Sequence, residues 1–326
     1  MRLRPLSTLY LRVSLKIESR INAVAREHRR IRRDVTTPIS GKLVSRPHPY
    51  PGIGHQLAAV VSGYLWARDL GLTFEATQLV ADRNRLFQFP SPPDDQRVGR
   101  RHRLPSVRDE RDPNSLAVLR LACSRKQRGV QPAFELALDQ YRWDHSPAAE
   151  FVRAAVQAGS YGDALSKAED AEYIAIHVRR GDISAGELGG ASGISRWIPI
   201  DWYAELLDSL LKMTSLRSMP IQIISAGSIN ELEPLKSMCP QRVAIITDGS
   251  LEEDFVRLAG ATVLFCAPSS FSFSAALASR GVAAAHYPWW HEIPKTGRWV
   301  RLHNTFEDLE SRLDAALAET HRPDVR

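Results

Sequence analysis

The sequence His-Val-Arg-Arg-Gly-Asp at residues 177–182 places two adjacent arginines directly after an apolar run that is typical of a buried strand. A guanidinium is planar, stays charged at any working pH and can donate to two phosphate oxygens at once. Arg179 and Arg180 therefore predict a binding site for a diphosphate. Such a pair would also neutralise the negative charge that develops on a departing diphosphate.

Gly181 and Asp182 complete this motif and leave a second interpretation open. Gly181 allows the backbone to turn sharply beside a bound anion. Arg179 and Asp182 could instead form a local ion pair that only closes the loop. The position at a strand end favours the functional interpretation, because binding residues concentrate in the loops that follow the strands of α/β sheets.

A second polar group follows the apolar run Thr-Val-Leu-Phe-Cys-Ala and precedes a predicted helix. It consists of Ser269, Ser270 and Ser272. Hydroxyls and unbonded backbone N–H groups at the start of a helix favour a bound anion, so these serines predict a phosphate cradle. The same serines would also serve as an ordinary helix N-cap, and the two roles are compatible.

Gly52 and Gly54 lie in a glycine-rich loop that leads into an apolar helix, which Gly71 is predicted to end before a strand at residues 72–74. The dinucleotide-binding fingerprint G-x-G-x-x-G is a weak alternative. Leu57 occupies the third glycine position and no strong strand precedes the loop.

The elements that must position these residues alternate regularly after residue 172. Alternating strands and helices predict an α/β fold with a mainly parallel sheet and helices on both faces. The loops after Val178, Ser225, Thr247 and Ala267 should then meet at the carboxyl edge of the sheet. Predicted strands cover residues 173–178, 220–225, 243–247, 262–267 and 282–288, and predicted helices cover 201–211, 251–260 and 271–280. Residues 89–114 are rich in Pro, Asp and Arg and predict an exposed loop.

Composition excludes several classes of protein. With 44% hydrophobic and 25% charged residues over 326 positions, the chain has the balance of a folded globular protein. A net charge of +6 favours anionic partners. No D-x-D, H-E-x-x-H, C-x-x-C or P-loop motif occurs, so no metal site is predicted. A non-catalytic protein that binds polyanions or membranes remains the alternative, but no aromatic-interleaved basic motif predicts specific binding of nucleic acid.

Residues 1–40 form a basic segment with apolar residues at helical spacing. Charged residues interrupt every apolar stretch, so no secretory leader is predicted and we expect a cytoplasmic protein. The segment could lie on an anionic membrane surface as a peripheral contact, or pack on its own domain.

Three blocks of the sequence resemble the GDP-fucose-dependent fucosyltransferases, and most closely the α1,2 group, in which they follow one another in the same chain order. Residues 177–182 resemble the H-x-R-R-G-D motif, and residues 52–57 resemble the G-x-G-N-Q block. The stretch from Glu253 to Phe273 resembles the E-D-x-x-L-M-S to N-S-S-F-S-W-W block. The similarity spans roughly residues 50–300. His55 departs from the family's Asn, Ser-Ala-Gly at 225–227 from its S-D-D, and Phe-Ser at 273–274 from its Trp-Trp.

The resemblance implies a metal-independent inverting glycosyltransferase with a GT-B-like fold of two Rossmann-like lobes. Residues 41–165 would form the acceptor-side lobe and residues 166–326 the lobe that binds the GDP-sugar, ending in a terminal helix. The donor would be GDP-fucose or another GDP-sugar, and the acceptor a glycan or glycolipid. No cofactor is implied.

The resemblance also implies roles for single residues. Arg179 would contact the β-phosphate, His177 would lie near the nucleotide, and Arg180 would support the loop or add charge. Asp254 would bind the guanine base, whose N1 and N2 groups donate. Gly52, Gly54, His55 and the three serines would surround the donor.

Transfer to an acceptor hydroxyl requires a base. Glu187, five residues beyond Asp182 in a glycine-rich loop, could reach the site, and Asp182 competes for the role.

Trp289 and Trp290 follow a predicted strand and could stack on a sugar or base, whereas Trp202 lies in an amphipathic helix and is predicted to be core.

Overall fold

The computed structural model describes residues 39–45, 52–77, 79, 85–90, 101–105, 113–125, 132–136, 142–183, 185, 188–189, 194–289, 291–294, 297–303 and 305–320. The described chain contains two parallel sheets with helices packed on them, so the predicted α/β fold is confirmed. The basic segment at residues 1–38 lies outside the described residues. None of the described helices is both long enough and apolar enough to cross a bilayer.

The first sheet has four parallel strands in the order β2-β1-β4-β3. They are β1 (Lys42–Ser45), β2 (Thr73–Ala76), β3 (Arg101–Arg103) and β4 (Ala133–Glu135). Helix α1 (Ile53–Leu70) connects β1 to β2, and α2 (Pro113–Ser124) connects β3 to β4. The predicted end of α1 is confirmed: Gly71 adopts a left-handed conformation with φ of 72°, and its N–H donates back to the last turn.

The prediction of an exposed loop over residues 89–114 is wrong where the structure describes this region. Strand β3 pairs with β4 here, and Leu104, which follows it, is buried beside the first sheet. Short strands with charged residues lack the alternating pattern that sequence analysis detects, and this explains the miss.

The second sheet has six parallel strands in the order β12-β11-β10-β5-β8-β9. They are β5 (Ile174–His177), β8 (Ile221–Ile224), β9 (Val243–Ile246), β10 (Val263–Cys266), β11 (Val282–His286) and β12 (Trp299–Leu302). A short hairpin of β6 (Leu188–Gly189) and β7 (Ile194–Ser195) follows β5. All five predicted strands are present, because strands buried on both faces read as continuous apolar runs.

Helices cover both faces of this sheet, as predicted. They are α5 (Ile200–Lys212), α6 (Ile229–Met238), α7 (Leu251–Ala259), α8 (Ser270–Ala278) and the terminal α9 (Leu309–Thr320). The side chains of each strand alternate between two apolar clusters, one shared with α7 and α8 and the other with α5, α6 and α9. Two further helices, α3 (Ala149–Ala158) and α4 (Gly162–Asp170), lie between the sheets in the sequence.

Helix α1 joins the two halves of the molecule. It packs on β1 and β2 of the first sheet and also on α8 of the second. Helix α3 packs on α8 as well, so helices before residue 165 contribute to the core of the later half. The boundary at residues 165–166 stays a prediction.

Candidate functional site

A cleft of about 820 Å³ lies at the carboxyl edge of the second sheet, bounded on one side by the start of α1. Its floor is formed by the loops that follow β5, β8, β9 and β10, and the predicted convergence of these loops is confirmed. Parallel strands all present their carboxyl ends at one edge, so residues far apart in the sequence meet here.

Arg179 lines this cleft, and its guanidinium donates to Ser269 and to Asp182. Its Nη1 donates to the hydroxyl of Ser269 at 2.8 Å, and its Nη2 donates to both carboxylate oxygens of Asp182 at 2.9 and 2.7 Å. The ion pair that the sequence left open is therefore present, but within the cleft. Because Ser269 starts α8, this contact ties the β5 loop to the start of that helix.

Arg180 has a different environment, although it also borders the cleft. Its Nε donates to Glu231, its Nη1 to the carbonyl of Arg179 at 2.8 Å and its Nη2 to the carbonyl of Ile198 at 3.0 Å. The guanidinium also lies 3.7 Å from the ring centre of Trp197, and the residue is buried. All three side-chain nitrogens thus serve the protein. This revises the expectation that two adjacent guanidiniums hold one diphosphate and agrees with a supporting role.

His177 is the last residue of β5 and presents a neutral ring to the cleft. Burial, reinforced by the Arg179 charge, lowers the pKa of His177 to about 3. Within the described residues its buried Nδ1 has no hydrogen-bond partner. A neutral imidazole contributes one donor and one acceptor, so His177 can orient a ligand but cannot balance its charge.

The start of α8 brings two of the three predicted serines to the cleft. The Ser269 hydroxyl accepts from the N–H of Phe271 at 3.2 Å and is thus the N-cap that was expected. The Ser270 hydroxyl is buried at the cleft wall and has no hydrogen-bond partner among the described residues. Ser272 is fully buried away from the cleft, where its hydroxyl lies 3.3 Å from the carbonyl oxygens of both Ala267 and Ser269. Its position does not fit a phosphate contact.

Gly52, Gly54 and His55 form the opposite wall, at the start of α1. A Cβ on Gly54 would lie 2.5 Å from the carbonyl carbon of Ser270, so the starts of α1 and α8 touch through their backbones. Both helices direct their N-terminal ends at one space, and each end carries about half a positive charge. His55 is exposed at this wall. The arrangement favours an anionic ligand between the two helix starts.

Asp254 faces the cleft from α7 and is half-buried. Arg257 donates to its Oδ1 at 3.2 Å. Burial raises the pKa of Asp254 above its ordinary value, and Arg257 partly offsets this rise. Gly249 packs against the same carboxylate, where a Cβ would overlap with Oδ1. The carboxylate is thus held at the cleft wall as an acceptor.

Two of the predicted site residues lie outside the described part of the chain, and the cleft contains one arginine that the sequence analysis did not predict. Glu187 and Trp290 lie outside the described residues, whereas Trp289 lines the cleft. Arg196 also lines it, from the segment between β7 and α5. No motif surrounds Arg196 in the sequence, so only the fold reveals it. Across the described ranges, no group of three or more His, Cys, Asp or Glu side chains could hold a metal ion.

Comparison with family models gives no match, and no curated protein matches the sequence. Several solved structures are similar in fold. POFUT1 in complex with GDP-fucose aligns with a TM-score of 0.49 and 11% identity over 75% of this chain and 98% of that one. A mutant of Arabidopsis thaliana FUT1 in complex with GDP aligns with a TM-score of 0.45 and 12% identity, over 87% of this chain and 80% of that one. E. coli heptosyltransferase WaaC with ADP aligns with a TM-score of 0.39 and 12% identity, over 86% of this chain and 100% of that one. At such low identities and TM-scores, the function has to be inferred from the side chains of the cleft.

Proposed function

We propose that this protein is a glycosyltransferase that transfers a sugar from a nucleoside diphosphate donor, with a GDP-sugar as the favoured donor. One observation carries the proposal. The guanidinium of Arg179 lies at the convergence of four strand ends and is joined to Ser269 at the start of α8.

The chemistry of the donor explains why this position matters. When the bond between the sugar and the β-phosphate breaks, negative charge develops on the departing diphosphate. Arg179 supplies a permanent positive charge, and the starts of α1 and α8 supply backbone N–H groups. The buried hydroxyl of Ser270 can donate to the same anion, which would provide the partner that the described residues do not.

The far wall of the cleft suits a purine base. Guanine presents two adjacent donors, N1–H and the N2 amino group, and Asp254 offers a carboxylate that can accept from both. Leu251 is exposed beside it and could cover a ring face. This supports guanosine over a pyrimidine nucleoside.

We place the acceptor, a glycan or glycolipid, on the side of the cleft formed by α1 and Trp289. Fucose is the proposed sugar on the strength of the three sequence blocks alone. Asp182 is the described carboxylate nearest to Arg179, but both of its oxygens accept from that guanidinium. If Asp182 is the base, it must first exchange one of these contacts for the acceptor hydroxyl.

The proposal is tested by replacing Arg179 with Ala and measuring transfer from GDP-fucose and from other GDP-sugars. Loss of one electrostatic contact to developing charge lowers the turnover of enzymes by roughly 10²-fold or more, and we expect a loss of that size. The melting temperature should stay close to that of the wild type, because the Asp182 partner is largely exposed. Wild-type turnover in this variant would refute the assignment.

A parallel measurement separates an enzyme from a general polyanion binder. Ligands that bind the folded state raise its melting temperature. We expect GDP to do so more than UDP or a short RNA, with the difference persisting at high salt. Equal, salt-sensitive stabilisation by all three ligands would instead indicate nonspecific binding of anions.

A further inference from the structure

Arg196 differs from three arginines that are held by the backbone around the second sheet. Arg242, Arg298 and Arg312 all donate to backbone carbonyls. Arg196 lines the cleft half-exposed, and within the described residues no hydrogen bond or ion pair engages its guanidinium. Its side chain borders the space that a ligand would fill.

The backbone that carries Arg196 is fixed on both sides. The Ser195 hydroxyl donates to the carbonyl of Trp197 at 2.9 Å and accepts from its N–H at 3.2 Å. The next residue, Ile198, is buried and accepts from Arg180, which also stacks on Trp197. A side chain on such a turn loses less freedom when it binds a ligand than one on a mobile loop.

Most of the charged side chains that border the cleft are already paired with an opposite charge of the protein. Arg179 is paired with Asp182, and Asp254 is paired with Arg257. Arg180 is paired with Glu231. Arg196 is the remaining cation on the described walls of the cleft, while a nucleoside diphosphate brings at least two negative charges.

We propose that Arg196 is the second guanidinium of the diphosphate site, in the role that the sequence assigned to Arg180, and that Arg180 positions it through Trp197 and Ile198. This inference rests on the proposed function, because it takes the anion to be the diphosphate of the donor. Arg196 contacts phosphate oxygens and leaves the base to Asp254.

The test compares the binding of GDP, GMP and guanosine by titration calorimetry to the wild type, Arg196→Gln and Arg280→Gln. Arg280 is a matched control, because it is exposed and precedes β11 at the opposite edge of the sheet. For Arg196→Gln we expect GDP affinity to fall about 10- to 100-fold, the range for a lost charge-assisted contact. GMP should weaken less and guanosine not at all. Arg280→Gln should bind all three ligands as the wild type does.

Three outcomes would overturn the inference, and one of them also removes the proposed function. An unchanged ratio of GDP to guanosine affinity in Arg196→Gln excludes a phosphate contact while leaving the donor site intact. An equal loss for guanosine and GDP means that the residue shapes the base site or the fold, and melting temperatures together with Arg196→Lys separate these two causes. If the wild type binds no nucleoside diphosphate, the inference and the proposed function fail together.

Discussion

Replacing Arg180 with Gln should lower the stability of the fold, whereas the Arg179→Ala variant should lower the turnover number. The buried guanidinium of Arg180 donates to two backbone carbonyls and to Glu231 and stacks on Trp197. Glutamine retains some polar character but cannot reach these partners together. The variant therefore separates support of the loop from contact with the ligand.

The size of the effect follows from the lost contacts. A hydrogen bond from a charged group contributes about 1.5–3 kcal/mol, and a cation above an aromatic ring about 0.5–2 kcal/mol. The Glu231 side chain is 31% exposed, so water can replace part of its contact and this share is discounted. Because contacts within one network are not additive, we expect a total loss of about 2–5 kcal/mol. At about 2 °C per kcal/mol for a chain of this size, the melting temperature should fall by about 4–10 °C.

The assay is thermal unfolding followed by circular dichroism, with GDP affinity measured well below the transition. The Arg180→Gln variant should show the fall in melting temperature and a moderate loss of affinity, since Arg196 is no longer held. The Arg179→Ala variant should melt near the wild type and lose turnover. A variant of Arg180 that melts like the wild type but no longer binds GDP would refute the supporting role.

Two further predictions concern packing and pH. Gly54→Ala should lower the unfolding free energy by about 1–3 kcal/mol and weaken GDP binding, because the new methyl would lie 2.5 Å from the Ser270 carbonyl carbon and force α1 away from α8. Gly52→Ala is the control for melting temperature, since nothing lies within 4 Å of its added Cβ. Burial depresses the pKa of His177 from 6.5 to about 3, so the unfolded chain binds more protons and stability should fall as the pH drops from about 6.5 towards 3. The loss of melting temperature between pH 7 and pH 5 should therefore be smaller in His177→Asn than in the wild type.

Five of the six strands of the second sheet could be predicted because each reads as an unbroken apolar run in the sequence. Helix α6 was missed: it contains Pro234 and buries little apolar surface. Strand β12 was missed because Arg301 interrupts its apolar residues, although the guanidinium leaves the strand to reach the carbonyl of Ile293. In both elements the tertiary environment outweighs the local pattern.

The convergence of the loops at one cleft could be predicted, but the contacts of the individual arginines could not. Consecutive residues of an extended chain project to opposite sides, so two adjacent arginines at a strand end have different partners even though both border the cleft. Arg179 donates to Ser269 and Asp182, whereas the guanidinium of Arg180 is engaged by Glu231 and two backbone carbonyls. The cation that joins Arg179 at the cleft comes from residue 196, which no local spacing relates to the motif.

Helix α8 explains how the cleft can be ready for an anion before one binds. Its far end is fixed by two arginines, since Arg298 donates to the carbonyl of Ala276 at 2.6 Å and Arg153 to that of Ala278 at 2.9 Å. These cations lie at the negative end of the helix dipole and satisfy carbonyls that burial would otherwise leave unbonded. Burial even lowers the pKa of Arg298 to about 10, yet the side chain remains charged at neutral pH. The protein itself provides partners for the carbonyl groups at this end of the helix. A ligand therefore has to provide partners only at the start of the helix, at Ser269 and Ser270. A helix held in this way does not have to move when the donor arrives, so the binding free energy of the diphosphate remains available for stabilising the charge that develops on it.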